Sequence, residues 1–168
     1  YFTETYGLDY WAAFPGCSTE TEPSAATIAF LIDKITEENL DQGLAFARQF
    51  AQQKGLIVTI TGAVDIIADS RAAYLIRNGH PMMAKITGTG CMLAAVMAAF
   101  LAANPAQELE AAAAAVSALG LCGELAYAKM LHQGGGNSTL RDHLVDALCN
   151  LDGEALAQGA KAEKHSFR

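Results

Sequence analysis

The chain has 168 residues, about half of them hydrophobic, and a formal net charge of −7 at pH 7. This length is sufficient for one domain with a buried core, and the acidic balance argues against nucleic acid, whose phosphates attract Lys and Arg. The longest apolar run, residues 92–103, is too short to cross a bilayer, and no secretory signal is visible. Four widely spaced cysteines without a C-x-x-C pair predict neither a zinc site nor a disulfide framework. We therefore expect a reduced, cytoplasmic protein without a membrane partner.

The first 40 residues predict one helix and no metal site. Ser24 is a residue type that caps helices, and apolar side chains follow it at helical spacing. These apolar residues are Ile28, Leu31, Ile32 and Ile35. Glu20 and Glu22 are interpreted as solvated turn charges, because neither belongs to a set of potential metal ligands. A segment of this length cannot bury a core by itself, so we expect it to pack on something else or to remain loose.

The next part of the chain predicts a helix followed by three strands. Residues 40–53 place apolar side chains on one helical face, and Gly55 has the usual position of a helix-terminating glycine. That face comprises Leu44, Ala47, Phe50 and Ala51. Residues 56–61 form a continuous apolar and β-branched run, typical of a strand buried on both faces of a parallel sheet. Residues 65–68 and 73–77 predict a β-hairpin, and the residues between them supply its turn.

The second half of the chain predicts mainly helices. Residues 91–103 form a helical pattern that Pro105 prevents from continuing. Residues 108–130 are rich in alanine, which favours a helix, and their small side chains suit close packing in a core or an interface. A glycine run precedes a last helix at residues 139–151, and the remainder is predicted to be a helix fading into a frayed tail. These elements predict an α/β fold, a layer of short strands covered by helices.

Two glycines stand in a short polar turn directly before the helix at residue 91. Gly88 and Gly90 allow positive φ and close backbone approach. The first N–H groups of a helix lack intrahelical partners and lie at the positive end of its dipole, so such a turn can bind a phosphate. Cys91 lies at the mouth of this turn, where a helix N-terminus favours a thiolate. The alternative is that Cys91 is an ordinary cysteine at the start of a helix, which would be buried and inert.

Five motifs, in order and correctly spaced, resemble the hydroxyethylthiazole kinase family of ribokinase-like enzymes. They are VTITGAVD at 58–65, NGHPMM at 78–83, KITGTGC at 85–91, GELAY at 123–127 and LVDAL at 144–148. The resemblance covers about residues 41–163 and corresponds to the C-terminal half of that family. It implies a partial ribokinase-like layered sheet, a homotrimer, and ATP and Mg²⁺ as cofactors. The implied reaction is phosphorylation of the hydroxyethyl group of 4-methyl-5-(2-hydroxyethyl)thiazole, in thiamine biosynthesis or salvage.

The resemblance also implies roles for individual residues. Cys91 occupies the position of the ribokinase-type catalytic aspartate, where it would help to remove the proton of the substrate alcohol. The backbone N–H groups of Gly88, Thr89, Gly90 and Cys91 would form an anion hole that stabilises the transferred phosphoryl group. Thr61 matches a position that contacts ATP, and Gly88 matches one that contacts the thiazole.

Three further polar residues receive no chemical role. Asp65 and Asp69 are spaced like a metal pair, but their places on a strand and in a turn predict solvated charges. His80 precedes Pro81 in a loop, and we interpret it as positional rather than catalytic.

The N-terminal segment has a different resemblance. YFTETYGL at 1–8 and STETEPSAATIA at 18–29 resemble the middle of a zinc- or manganese-binding lipoprotein of the ABC-transporter type, but none of its metal ligands can be matched. The chain is therefore divided into residues 1–40 and a kinase-like domain at 41–168. A truncated product, a chimera and a designed fusion all stay open. Because the family's N-terminal half is not matched, we expect weak activity; the alternatives are a fragment without catalysis and a metal-binding transporter module.

Overall fold

The computed structural model describes the backbone of residues 10–12 and 28–32 and the whole of residues 35–167. The chain divides into two compact units. The first contains the described residues up to Ile76 together with residues 163–167, and the second is Arg77–Ala162. The two units are separated at residue 76. The division of the chain at residue 40 stays a prediction.

Six strands among the described residues form one sheet, in which their spatial order follows the sequence. They are β1 (Tyr10–Ala12), β2 (Ile28–Ile32), β3 (Ile57–Thr61), β4 (Asp65–Ala68), β5 (Ala72–Ile76) and β6 (Ala162–Ser166). β2 and β3 are parallel, with Ile28 opposite Ile57 and Ile32 opposite Thr61. The pairs β1–β2, β3–β4 and β4–β5 are antiparallel. The hairpin predicted from the sequence is β4–β5, and it is confirmed.

Helix α1 (Leu40–Lys54) connects the parallel strands β2 and β3, as a crossover must. It ends at Gly55, whose φ of 64° lies in the left-handed region that favours glycine. All four apolar residues of its predicted face are buried against alternate residues of the strands. The strand residues of this core are Val58, Ile60, Ile66, Ala68, Ala73 and Leu75. One face of the helix, with a period of 3.6 residues, therefore packs on alternate strand residues, with a period of 2, in one apolar layer.

The second unit is helical in its described structure. Its elements are a 3₁₀ helix (Pro81–Lys85), α2 (Thr89–Ala103), α3 (Glu108–Gln133), α4 (Asn137–Asn150) and α5 (Gly153–Gly159). α3 is the central element, because it packs against α2, α4 and α5. Most of its first 16 residues are buried, which explains why alanine and glycine predominate there. The alanine-rich segment is thus a core helix, as the sequence predicted.

α3 has the length and apolar composition of a membrane-spanning helix, although no such segment was predicted from the sequence. However, 72% of its most apolar 18-residue stretch is buried inside the protein. Burial of this kind is typical of the central helix of a folded core.

Two predictions about secondary structure are wrong. Residues 28–32 form strand β2 rather than a helix, since pairing with the β-branched strand β3 outweighs a helical spacing of apolar side chains. The tail does not fray, because α5 is followed by β6 at the edge of the sheet, and the N–H of Phe167 donates to the carbonyl of Arg71 at 2.9 Å. The predicted Ser24 cap and the charges of Glu20 and Glu22 lie outside the described residues.

Asp65 is not the solvated charge that the sequence predicted. It is half-buried at the start of β4, where its Oδ1 accepts the N–H of Gly62 at 2.9 Å. Burial raises the pKa of its carboxyl to about 7, although the Gly62 hydrogen bond acts in the opposite direction. Asp69 instead shapes the hairpin turn, since its Oδ1 accepts the N–H groups of Arg71 and Ala72, each at 2.7 Å.

We expect Asp65 to make the free energy of unfolding depend on pH. The carboxyl of an unfolded chain titrates near 3.9, whereas the folded carboxyl titrates at about 7. The contribution of Asp65 to stability should therefore fall as pH rises from about 4 to about 7 and then level off, because across that window only the unfolded state releases this proton. Asp65→Asn keeps an oxygen for the Gly62 N–H and should add about 1–4 kcal/mol at pH 8.

The measurement is urea unfolding of both proteins between pH 4 and 8. Asp41→Asn, which removes an exposed carboxylate of α1, is the control and should follow the wild-type curve. Parallel curves for the wild type and Asp65→Asn would contradict the burial of an ionisable group at this position.

Candidate functional site

The candidate site is the turn at residues 88–91, where α2 begins. Gly88 precedes the helix with a φ of 97°, a conformation that favours glycine, and no side chain caps the helix. A Cβ added at Gly88 or at Gly90 would meet nothing within 4 Å. The glycines of this turn therefore border open space, which leaves the backbone accessible to a ligand.

The first N–H groups of α2 are available for hydrogen bonding. The N–H of Met92 donates to the carbonyl of Gly88 at 2.9 Å, which closes the first helical turn. No hydrogen bond joins the N–H of Thr89, Gly90 or Cys91 to another described residue, as expected at a helix N-terminus. Cys91 is exposed, so the interpretation of a buried, inert cysteine is wrong. Three donors and a thiol thus surround one accessible helix end, at the positive end of its dipole.

The segment that leads into this turn is fixed by its own hydrogen bonds. His80 caps the 3₁₀ helix, because its Nδ1 accepts the N–H of Met82 at 3.2 Å. The imidazole also stacks on the ring of Tyr127, with 3.6 Å between centroids. Both contacts agree with a positional role for His80.

The same segment lies against one face of α3. Gly120, Gly123, Glu124 and Tyr127 share this face, since residues three, four and seven apart are neighbours on a helix. A Cβ at Gly120 would lie 2.7 to 2.8 Å from the Cβ, C and O atoms of Asn78. A Cβ at Gly123 would collide with the sulfur of Met83. The two glycines thus let residues 78–83 approach the helix backbone, and we call these four α3 residues the docking face.

Glu124 is the polar centre of the docking face. Its Oε1 accepts the N–H of Gly79 at 2.9 Å and the Nδ2 of Asn78 at 3.3 Å, and its Oε2 accepts the Nζ of Lys161 at 2.8 Å. Burial alone would raise the pKa of this carboxyl, but the hydrogen bonds and the positive charge of Lys161 outweigh it and lower the pKa. Glu124 is therefore held as a carboxylate that fixes the start of the segment.

Asn78 joins this segment to the end of the second unit. It is buried, its Nδ2 donates to the carbonyl of Gly159 at 3.0 Å, and its Oδ1 accepts the N–H of Lys161 at 2.6 Å. At the other end of the segment, the Nδ2 of Asn137 donates to the carbonyl of Lys85 at 3.2 Å. Residues 78–85 are thus held at both ends before the chain reaches Gly88.

The other described cysteines differ from Cys91 in their surroundings. Cys122 is buried in α3, and burial raises the pKa of its thiol to about 11. Cys149 is exposed near the C-terminal end of α4, where the helix dipole has the opposite sign. Among the described residues, Cys91 is therefore an exposed thiol at a helix N-terminus, and Cys149 is one near a helix C-terminus.

The predicted site residues fall into both compact units. Gly88, Thr89, Gly90 and Cys91 are contiguous in the second unit. Thr61 belongs to the first unit, where it is half-buried at the end of β3. Asn78 and Glu124 lie within two of the family-like motifs, but the sequence predicted a role for neither. An acidic residue inside an otherwise apolar helical pattern was the available signal for Glu124.

The described residues contain no group of three His, Cys, Asp or Glu side chains that could hold a metal ion. Magnesium needs fewer protein ligands when it binds together with phosphates, because phosphate oxygens and water complete its octahedron. The donor set of the described residues therefore does not fit a metal held by side chains alone. The phosphate part of a nucleotide fits better, since the turn at residues 88–91 offers free N–H groups and open space.

A glycine-rich turn at a helix N-terminus is an arrangement that many phosphate-binding α/β proteins share. The chain belongs to the hydroxyethylthiazole kinase family, whose sequence model matches residues 32–154. It is 47% identical over 133 residues to the hydroxyethylthiazole kinase of Clostridium acetobutylicum and 43% identical over 136 residues to that of Desulfovibrio desulfuricans. These matches cover 79% and 77% of this chain and 48% and 47% of the two relatives.

A solved structure, that of the hydroxyethylthiazole kinase protein from Pyrococcus horikoshii, resembles the fold with a TM-score of 0.69 at 26% identity. The match covers 81% of this chain and 54% of that structure, and it confirms the predicted fold class. The chain thus spans about half the length of the relatives it matches. These comparisons give no support to the resemblance of residues 1–40 to a transporter lipoprotein.

We expect Gly120→Ala to destabilise the second unit by about 1–3 kcal/mol, even though alanine favours a helix by roughly 1 kcal/mol. The reason is that the added Cβ would collide with the backbone of Asn78, which cannot move aside as a flexible side chain can. Thermal unfolding would measure the loss. Gly153→Ala is the matched control, because a Cβ there meets nothing within 4 Å and should leave stability equal or slightly higher. Equal stability of the two variants would disprove the close approach.

Proposed function

We propose that the protein transfers the terminal phosphoryl group of ATP to the hydroxyethyl group of 4-methyl-5-(2-hydroxyethyl)thiazole, in thiamine biosynthesis or salvage. Membership of the hydroxyethylthiazole kinase family supports this proposal. The observation that carries it is the open turn at residues 88–91, with three free N–H groups and the exposed Cys91 at one helix N-terminus. Phosphoryl transfer depends mainly on positioning and on the stabilisation of negative charge, and this turn supplies both.

In the proposed mechanism, Cys91 acts as the general base. Its thiolate accepts the proton of the substrate hydroxyl as the alcohol oxygen attacks the terminal phosphorus of ATP. The bond from that phosphorus to the bridging oxygen breaks, and ADP leaves with the electron pair. The N–H groups of Thr89, Gly90 and Cys91 stabilise the negative charge that develops on the phosphoryl oxygens.

Gly88 and Thr61 complete the proposed contacts. Gly88 would lie against the thiazole, because the absence of a side chain leaves the backbone open there. Thr61 is half-buried, and its hydroxyl would contact ATP. Mg²⁺ would neutralise phosphate charge when it is bound with ATP, and we assign it no protein ligand and no step.

The same proposal includes a homotrimer located in the cytoplasm. Three large apolar side chains support self-association, because they are exposed on neighbouring helices of the second unit. They are Leu125 and Leu131 on α3 and Val145 on α4. A cytoplasmic location agrees with the need for ATP and with the free thiols of the three described cysteines.

We expect inorganic phosphate to slow alkylation of Cys91 several-fold, because an anion bound to the N–H groups of the turn would cover the thiol and repel its thiolate. Peptide mapping by mass spectrometry after limited alkylation would give the rate for each cysteine. Cys149 is an internal control, since it is also exposed but lies near a helix C-terminus. Sodium chloride at matched ionic strength controls for screening. If phosphate slowed the alkylation of both cysteines to a similar extent, the result would contradict anion binding at the turn.

We expect Cys91→Ala to lower kcat for ATP-dependent thiazole phosphorylation by a factor on the order of 10² to 10⁴, the usual contribution of a general base. Cys149→Ala should retain the wild-type rate because that thiol is remote from the turn in sequence and lies on another helix. Formation of the phosphorylated thiazole would be followed by mass spectrometry. Unchanged turnover in Cys91→Ala would exclude the thiol as the base, and no turnover in any form would exclude the proposed reaction for this chain.

A further inference from the structure

Three polar side chains share one face of the sheet at the end of β3. Val58 and Ile60 contact α1 in the core, so strand alternation places Thr59 and Thr61 on the opposite face. In the antiparallel pair, Thr59 lies opposite Ile67 and Ile60 lies opposite Ile66. The next position along this register sets Thr61 beside Asp65, on the same face. We call Thr59, Thr61 and Asp65 the polar end of β3.

This polar end lies where α/β proteins usually bind ligands. β2 and β3 are parallel and finish together, with Ile32 opposite Thr61. Ligands of open α/β sheets bind outside the carboxyl ends of such strands. The Gly62 N–H holds the Asp65 carboxyl at this edge with a hydrogen bond of 2.9 Å. Thr61 and Asp65 are half-buried, so both can contact a ligand while remaining shielded from bulk water.

The hydroxyl of Thr59 adds an independent sign of an incomplete polar site. Thr59 is fully buried, and its Oγ1 has no hydrogen-bond partner among the described residues. A buried polar atom without a partner is unfavourable, so such an atom in a folded protein calls for an explanation such as a bound water or ligand. Because Thr59 and Thr61 are two residues apart on one strand, the orphaned hydroxyl lies on the same row as Thr61.

The carboxyl of Asp65 has few hydrogen-bond partners at this site. Among the described residues, its hydrogen-bond donor is the Gly62 N–H, and burial and that bond account for its pKa of about 7. The neighbouring strands contribute uncharged residues on either side of it, Thr61 on β3 and Ile76 on β5. An ionised Asp65 would repel an anion placed at Thr61, whereas a protonated carboxyl could donate a hydrogen bond to it.

We propose that an anionic ligand at Thr61 binds together with a proton on Asp65, whose carboxyl then donates a hydrogen bond to an oxygen of the ligand. The proposal rests on the proposed function, under which this ligand is the nucleotide. The proton comes from solvent, and no covalent bond to the ligand forms or breaks. Asp65 is thus a positioning residue whose protonation couples nucleotide affinity to pH.

The test is calorimetric titration of the 168-residue chain with ADP at pH 7.5, in two buffers with different enthalpies of ionisation. The difference between the two heats gives the number of protons taken up on binding. A carboxyl with a pKa of about 7 is mostly ionised at pH 7.5, so we expect the wild type to take up about half a proton or more beyond the value for Asp65→Asn. The phosphate of ADP titrates near 6, but its contribution is common to both proteins and cancels.

Affinity gives a second readout. Between pH 7 and 8.5, the Kd of the wild type for ADP should increase by up to about tenfold per pH unit relative to that of Asp65→Asn. Asp41→Asn, which removes an exposed carboxylate from the same unit, should behave as the wild type does. Thr61→Val should weaken ADP binding in every buffer if the ligand lies at this strand end.

The outcomes separate the two proposals. ADP binding with the same proton uptake in the wild type and in Asp65→Asn would overturn the role of Asp65 and leave the kinase proposal standing. No ADP binding by the wild type would overturn both. If Asp65→Asn failed to fold, the proton uptake of the wild type could still be measured by itself. A wild-type uptake near zero would contradict the proposal.

Discussion

The close approach between α3 and residues 78–83 is the constraint on which the second unit depends. Gly120 and Gly123 leave no room for a side chain, so the incoming segment lies directly on the helix backbone. Glu124, on the same face, then holds that segment through the Gly79 N–H and the Asn78 amide. A helix can act in this way because residues three and four apart project from one face. Steric fit and charge-assisted hydrogen bonds therefore act on the same few residues.

The position of the candidate site follows from this contact. The docked segment continues into the 3₁₀ helix, which His80 caps, and then into the turn before α2. Asn137 holds the carbonyl of Lys85 from the start of α4. The turn itself has no side-chain cap and borders open space. Its accessible N–H groups thus follow a segment that is held at both ends by hydrogen bonds.

The sheet of the first unit shows where local sequence patterns suffice and where they fail. The face of α1, the glycine that ends it and the β4–β5 hairpin depend on nearby residues, and all were predicted correctly. Residues 28–32 were predicted wrongly, because isoleucines spaced for a helix also suit a strand, and only pairing with β3 decides between them. β6 was missed for a related reason, since its charged sequence becomes a strand only by lying beside β5.

The sequence by itself determined the family motifs, most helices and the turn from Gly88 to Cys91, because these features need only contiguous residues. The tertiary structure decided the surroundings of Asp65 and Glu124. Asp65 looks like any solvated carboxylate until the sheet buries it, and burial is what raises its pKa to about 7. Glu124 acquires its role from partners 45 and 37 residues away, Gly79 and Lys161. Burial and long-range hydrogen bonds exist only after folding, so a local pattern can single out Glu124 but cannot show the partners that it acquires.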